Sequence, residues 1–408
     1  AVPGMVAGIF QAHGGLGRMP LAEVMQPAID LARTGVRVDA LHHYIVRILE
    51  ATLRVDKDLF GLFESPGQAG ELISEGEYLR NPALAGAFEA LAESGEALFY
   101  RGEWAQRLAA DCATRGGNLS LQDLAIYRVE QRQPLQFTYR DAKCLINPPP
   151  SPGGCLIAFT LGLLQGWLPP GATWGGEIHV QSLVRAFRAS TLARAQEGAG
   201  QEELERLLDA GSLQRWRNEV QWHSLFSRGT THISVADAGG NIVSLTASNG
   251  EGTPYVLPGT GIILNNMLGE EDLNPGGFHR WKEGSRLASM MSPLIARRAD
   301  GSLLALGTGG SNRIRSALVQ VLVNLLDFGL DLNLAVEAPR LHLEGDKLSI
   351  EAGYSEQSLR ALAARVPKIH EWPARNLFFG GVHSVRVNPR GEFAGAGDPR
   401  RDGAVAIA

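Results

Sequence analysis

The stretch that constrains this chain most is Gly229-Thr230-Thr231-His232-Ile233-Ser234-Val235-Ala236-Asp237, which joins a helix-rich first half to a strand-rich second half. Ile233, Val235 and Ala236 stand among small polar residues, and Asp237-Ala238-Gly239-Gly240-Asn241 supplies a turn whose glycines tolerate positive φ. The stretch therefore reads as the first strand of a hairpin. The second strand runs over 241–248, with Val243, Leu245 and Ala247 on one face and Ser244, Thr246 and Ser248 on the other. A turn centred on Gly239 places Thr230 opposite Ser248 or Asn249, a hydroxyl beside a hydroxyl at the open end of the hairpin.

A cut between Gly229 and Thr230 would give one residue both a side-chain nucleophile and a free α-amine able to act as its general base. An α-amine titrates near pH ~8, close enough to neutrality to accept the proton, and a β-branched side chain holds its oxygen in few rotamers. Taken alone, Gly-Thr-Thr is also an ordinary strand former.

The 408 residues, 44% hydrophobic and 20% charged, suffice for one large or two closely packed domains. A formal net charge of −5 without long basic runs argues against a nucleic-acid or anionic-membrane surface. No apolar run reaches the ~18 residues of a membrane span. The start, Ala1-Val2-Pro3-Gly4, has neither an initiator methionine nor a signal peptide, which reads as a processed or truncated start and leaves the compartment open. Cys112, Cys144 and Cys155 lack metal or disulfide spacing and read as free thiols. His42-His43 reads as a pair on a helix, and neither a metal nor a cofactor is expected.

Periodicity and capping signals predict helices over 19–33, 81–93, from Trp104 past Cys112, 121–127, 155–165, 178–208 and 313–327. Strands are expected at 137–140, 144–146, 261–266 and 303–306, with a terminal hairpin over 383–388 and 392–395. Residues 209–228 read as a loop. Pro148-Pro149-Pro150-Ser151-Pro152-Gly153-Gly154 is a stiff connection into a helix. Gly307-Thr308-Gly309-Gly310-Ser311-Asn312, between strand and helix, has neither a phosphate-loop lysine nor a dinucleotide fingerprint. Asp327-Phe328-Gly329 lies at a helix end with no kinase catalytic loop upstream.

Several motifs in order resemble the γ-glutamyltranspeptidase family of N-terminal-nucleophile hydrolases: Val2-Pro3-Gly4 with Val6-Ala7-Gly8, Met19-Pro20-Leu21 with Gln26-Pro27-Ala28, the proline run with Gly153-Gly154, Thr230-Thr231-His232, Leu264-Asn265-Asn266, Ser289-Met290-Met291-Ser292-Pro293, and Asp398-Pro399-Arg400. The resemblance implies an α+β, four-layer αββα sandwich. It also implies a precursor that cuts itself before Thr230 into a large portion, 1–229, and a small catalytic portion, 230–408, which stay together. Thr230 would attack the γ-amide of glutathione or a related γ-glutamyl compound, and the ester would pass to water or to an amine.

By the same resemblance Ser248 hydrogen-bonds the nucleophile, and the amides of Gly309 and Gly310 form the oxyanion hole. Ser289, Glu270 and Asn266 contact the substrate. Two positions depart from the family pattern: Met290 stands where a second carboxylate-binding serine is expected, and Met267 where an amide side chain is expected. The family's N-terminal segment, with sheet strands and a carboxylate-clamping arginine, is not in this sequence. Rival readings are an acylase of the same fold for another amide, of glutaryl β-lactam or oxamate type, and an uncleaved, non-catalytic relative. A homo-oligomer is compatible with either.

Overall fold

The computed structural model describes residues 1–197, 204, 206–218, 230–270, 273–274 and 277–408. The chain divides into two compact units, one of residues 1–131 with 249–267 and the other of 132–248 with 268–408. Among the described residues no helix is long and apolar enough to cross a membrane.

The first unit is mostly helical. Leu21–Thr34 ends at Gly35, whose φ of 92° lies in the region that favours glycine. Pro82–Ser94 starts at Asn81, whose side chain caps the helix by accepting from Leu84 N and also donates Nδ2 to Gly261 O at 3.0 Å. Glu103–Thr114 and Leu121–Ile126 match the predicted third and fourth helices, and the second carries a Ser120–Asp123 capping box. Ala40–Leu53 carries His42 and His43. Phe99, Tyr100, Trp104, Leu108 and Leu257 make one core of this unit, and Val46, Leu53, Leu59, Ile73 and Val256 another. The strand expected over 261–266 shrinks to Ile262–Ile263, partly buried and paired with Val256–Leu257, while the bonds beyond it, Leu264 with Tyr255 and Thr253 and Asn266 with Asn249, leave the regular ladder.

The second unit is built on a six-stranded antiparallel sheet in the order Phe393–Ala396, Gly381–Val387, Leu303–Gly309, Leu294–Arg298, Ala142–Ile146, Leu135–Tyr139. Leu294, Ala296, Leu304, Leu306, Cys144 and Ile146 share one fully buried face. Helices Pro152–Trp167, Glu177–Glu197 and Arg313–Leu326 pack together and make the helical layer of the sheet. A smaller sheet of Leu341–Glu344, Lys347–Glu351 and Lys368–Trp372 flanks it, with the last two strands parallel. Asp327 is an anchor at its helix end, taking hydrogen bonds from Tyr139 and Arg140 at 2.7 Å each.

The stretch read as a loop over 209–228 contains a helix, Ala210–Asn218. It forms because Leu213 and Arg217, four residues apart, fit against Gly162 and Gly166, also four apart, while Trp216 is buried edge-on to Phe159 at 6.2 Å. Residues 219–229, including Gly229, lie outside the described residues.

The predicted hairpin is Thr231–Ala236 with Ile242–Ala247, and it packs on the sheet strands Leu303–Gly309 and Gly381–Val387. Its inward face is the polar one. Ser244 Oγ donates to Leu306 O and accepts from Leu294 N, both at 3.1 Å, and Ser234 Oγ donates to His383 O at 3.3 Å. Ile233, Val235, Val243 and Leu245 are each about half exposed, at 51–52%. The usual apolar-inward rule is reversed because the sheet offers small residues and main-chain acceptors there: Ala305, Gly307 and Gly309 line one face of their strand at period two. A Cβ at Gly307 would collide with the His232 ring.

Candidate active site

The hairpin register pairs Thr231 with Ala247, so the next pair outward is Thr230 with Ser248. Thr230 Oγ1 donates to Ser248 Oγ at 3.3 Å, and Thr230 is partly exposed. The Thr230 carbonyl lies over Gly309, so close that a Cβ there would overlap its oxygen. Thr230, Ser248 and Gly309 are thus one constellation at the open end of the hairpin.

The peptide after Gly309 is held by Thr308. Its hydroxyl donates to Gly309 O at 2.8 Å and accepts from Gly381 N at 2.9 Å. In a trans peptide the N–H points opposite to the C=O. Fixing the Gly309 carbonyl on Thr308 therefore turns the Gly310 N–H away from Thr308. Gly310 has φ 128°, and a Cβ on it would stand 3.1 Å from Gly380 Cα, so this turn requires glycine for both its conformation and its space.

Gly380 is fixed from below by buried charge. Arg340 Nη1 donates to Phe379 O and Gly380 O, both at 3.2 Å, and its Nη2 reaches Asp398 Oδ2 at 2.5 Å. Asp398 also accepts from Val382 N at 2.9 Å, from Arg400 N at 3.0 Å and from Arg400 Nη1 at 3.2 Å, while Arg400 Nε donates to Glu351 at 2.8 Å. Burial alone would raise the Asp398 carboxyl, but Arg340 and Arg400 hold it below the usual carboxylate range. The Asp398-Pro399-Arg400 motif is therefore part of the floor beneath the glycine turn.

His232 stands on the strand Thr231–Ala236, two residues from Thr230. Its ring shares hydrogen bonds of 2.8 Å with Thr246 Oγ1 and with Ser234 Oγ. Because the Ser234 proton is given to His383 O, His232 Nε2 donates to Ser234; in the neutral ring, Nδ1 is then the acceptor for Thr246 Oγ1. Burial, with a smaller push from His383, lowers its pKa to about 4.

The other sequence-predicted residues are placed less directly. Ser289 is partly buried, with its hydroxyl 3.4 Å from Ser151 Oγ. Ser289 precedes the strand Leu294–Arg298 by five residues, and the chain beside it, Met290 and Ser292, packs on Gly153 at the start of helix Pro152–Trp167. Met290 is buried at 3% exposure. Glu270 is buried, and its main-chain carbonyl accepts from Asn274 Nδ2 at 2.6 Å. Asn266 belongs to the other unit, where its N–H donates to Asn249 O and its Oδ1 accepts from Glu251 N. Thr308 and His232 lie at or beneath the site without having been singled out as site residues. Both stood inside quoted stretches, His232 in Thr230-Thr231-His232 and Thr308 in the glycine-rich turn, but neither was given a role.

An antiparallel sheet, a hairpin laid on it and a threonine at the hairpin's start define the class, and solved structures agree. The cephalosporin acylase of Bacillus halodurans matches all of this chain and 78% of its own at 26% identity with a TM-score of 0.85. The fold is that of the N-terminal-nucleophile hydrolases, α+β with αββα layering. The family model for gamma-glutamyltranspeptidase matches residues 1–408, and the chain belongs to that family. Among its relatives, the acylase ACY 1 proenzyme of Pseudomonas sp. (strain V22) is 34% identical over 99% of this chain and 74% of its own length. The glutathione hydrolase proenzyme of Escherichia coli (strain K12) is 30% identical over 98% and 73%. Family members are processed into two subunits and act on small molecules.

The neutral His232 makes stability pH-dependent with a definite sign. Its folded pKa of about 4 lies below the ordinary 6.5, so the unfolded chain binds more protons between these values and stability falls as pH drops through that window. The loss is at most ~3 kcal/mol, at ~1.4 kcal/mol per unit. Denaturant unfolding at pH 7 and pH 4.5 should show a smaller acid loss in His232→Gln than in the wild type.

Proposed function

We propose that the chain is a self-processing amidase and acyl transferase in which cleavage between Gly229 and Thr230 creates the catalytic N-terminus, dividing it into portions 1–229 and 230–408. The single observation that carries this reading is the placement of Thr230, its hydroxyl against Ser248 and its main chain over Gly309. The Thr230 oxygen attacks the amide carbon of the substrate as its proton passes to the new α-amine. Negative charge develops on the substrate oxygen and is met by the Gly309 and Gly310 amides, the second of which is turned by Thr308. Preorganised donors of this kind are worth a few kcal/mol each. The C–N bond breaks as the amine base returns the proton to the leaving nitrogen. The resulting ester is then attacked by water, or by an acceptor amine, through the same base and donors.

The donors this reading favours are γ-glutamyl amides such as glutathione, with Ser289 and Glu270 as the substrate contacts. The family match and the glutathione hydrolase relative support it. A second reading, a glutaryl-type acylase, draws on Met290, buried where a second carboxylate-binding serine is expected, and on the similarity to the acylases. Ser151 beside Ser289 supplies a second hydroxyl for either donor.

Matched γ-glutamyl and glutaryl anilides, assayed together, separate the two donors by their kcat/KM. Thr230→Ala should abolish turnover of both, and mass spectrometry of quenched wild-type enzyme should find the acyl group on the peptide beginning at Thr230. Full turnover by Thr230→Ala would refute the assignment.

Thr308 gives a second test. Thr308→Val, which keeps the shape and removes the hydroxyl, should lower kcat by roughly tenfold or more with little change in KM, because a misaligned oxyanion donor is felt only in the transition state. Thr308→Ser should keep most of the activity.

A further inference from the structure

Just past Asp398-Pro399-Arg400 the chain carries a second, adjacent arginine, Arg401. The stem of Arg401 lies flat on Gly381, where a Cβ would stand 2.7–2.8 Å from its Cβ, Cγ and Cδ. From there the guanidinium extends over Gly309: a Cβ at Gly309 would point at both the Thr230 carbonyl oxygen and Arg401 Nη1, the latter 3.1 Å away. Arg401 and Thr230 thus meet above one glycine. Gly309 and Gly381 are a cross-strand pair, so the absence of both side chains is what admits the arginine to this place.

Its charge is not matched locally. Nη2 donates to Leu377 O at 3.3 Å, and Nε is enclosed without an acceptor. Among the described residues no carboxylate lies within ion-pair distance of Arg401. Asp398 is the carboxylate that acts on it, but its oxygens are already taken by Arg340, Arg400 and two main-chain N–H groups. Arg340 and Arg400, by contrast, are tied to Asp398 and Glu351. Buried charges in proteins are ordinarily paired, and a guanidinium is the side chain whose fork matches a carboxylate. Nη1 is the group left facing the reacting threonine, and it is not enclosed as Nε is.

We propose that Arg401 is the carboxylate-receiving residue of the site: Nη1 takes an oxygen of a carboxylate borne by the amide substrate while its scissile carbon lies at Thr230. This rests on the reading of Thr230 given above and deepens it, since it selects substrates that carry an anion near the scissile bond. The carboxylate belongs to the acyl half, as in a glutaryl group, or to the leaving half, as in a peptide or β-lactam nucleus.

Four substrates separate these sources in the processed enzyme: glutaryl anilide against pentanoyl anilide for the acyl half, and pentanoyl p-aminobenzoate against pentanoyl anilide for the leaving half. A hydrogen bond to a charged group is worth a factor of about 10 to 100. In Arg401→Gln the kcat/KM ratio of the pair that supplies the carboxylate should fall by about that factor, and Arg401→Lys should restore part of it. Equal losses on charged and uncharged substrates, or no change in either ratio, would overturn the assignment. Glutarate binding by calorimetry reads the same contact without catalysis: it should weaken about tenfold or more in Arg401→Gln, and binding that is absent from the wild type or unchanged in the variant would also overturn it. Failure of all four amides to turn over, with glutarate still bound through Arg401, would instead refute the Thr230 reading.

Discussion

The approach of the Thr230 main chain to Gly309 is possible only because no side chain projects from Gly309, and bare positions at Gly307, Gly309 and Gly381 organise the rest of the site. Gly307 gives room to His232, Gly309 to the Thr230 carbonyl and the Arg401 guanidinium, and Gly381 to the Arg401 stem. A larger residue at Gly307 or Gly309 would force the hairpin away from the sheet, and one at Gly381 would displace Arg401, because close-packed interiors give little ground to an added methyl group. The polar inner face of the hairpin is the other half of the same design. Ser234, Ser244 and Thr246 are short enough to sit between two layers at close range, and each finds a partner there.

The glycine turn that faces Thr230 would be soft if it rested on backbone alone. Instead Thr308 fastens one carbonyl, and Arg340 fastens the two carbonyls before Gly381. Behind them stand Asp398, Arg400 and Glu351, all almost fully buried. Such a cluster is costly to desolvate and is weak support for the view that ion pairs add stability. Its geometric effect is clearer: removing any one member leaves an uncompensated buried charge, so the arrangement tolerates few alternatives. Catalysis by positioned amides needs that rigidity more than it needs added stability.

Much of this was legible in the sequence. Alternation and the Asp-Ala-Gly-Gly-Asn turn predicted the hairpin and its register, and the helix over 313–327 appears as Arg313–Leu326. Period two reveals two faces but not which one is buried, and here the choice was made by small residues on a strand sixty residues away. The helix Ala210–Asn218 was missed because its packing surface is a polar segment whose contacts, Leu213, Trp216 and Arg217, fit glycines of another helix. Arg401 could not be told from a surface arginine in sequence, since its meaning comes from Gly381 and Gly309 lying beneath it. The resemblance supplied Asn266 as a substrate residue, but sequence could not reveal that it is held within the other compact unit.

The proposed chemistry turns an interior hydroxyl of one chain into an N-terminal nucleophile. Intact-mass analysis of the purified active protein, combined with sequencing of each polypeptide's first residue, tests this most directly. Two polypeptides are expected, one of them beginning with Thr230. A single unbroken chain with full amide-cleaving activity would contradict it.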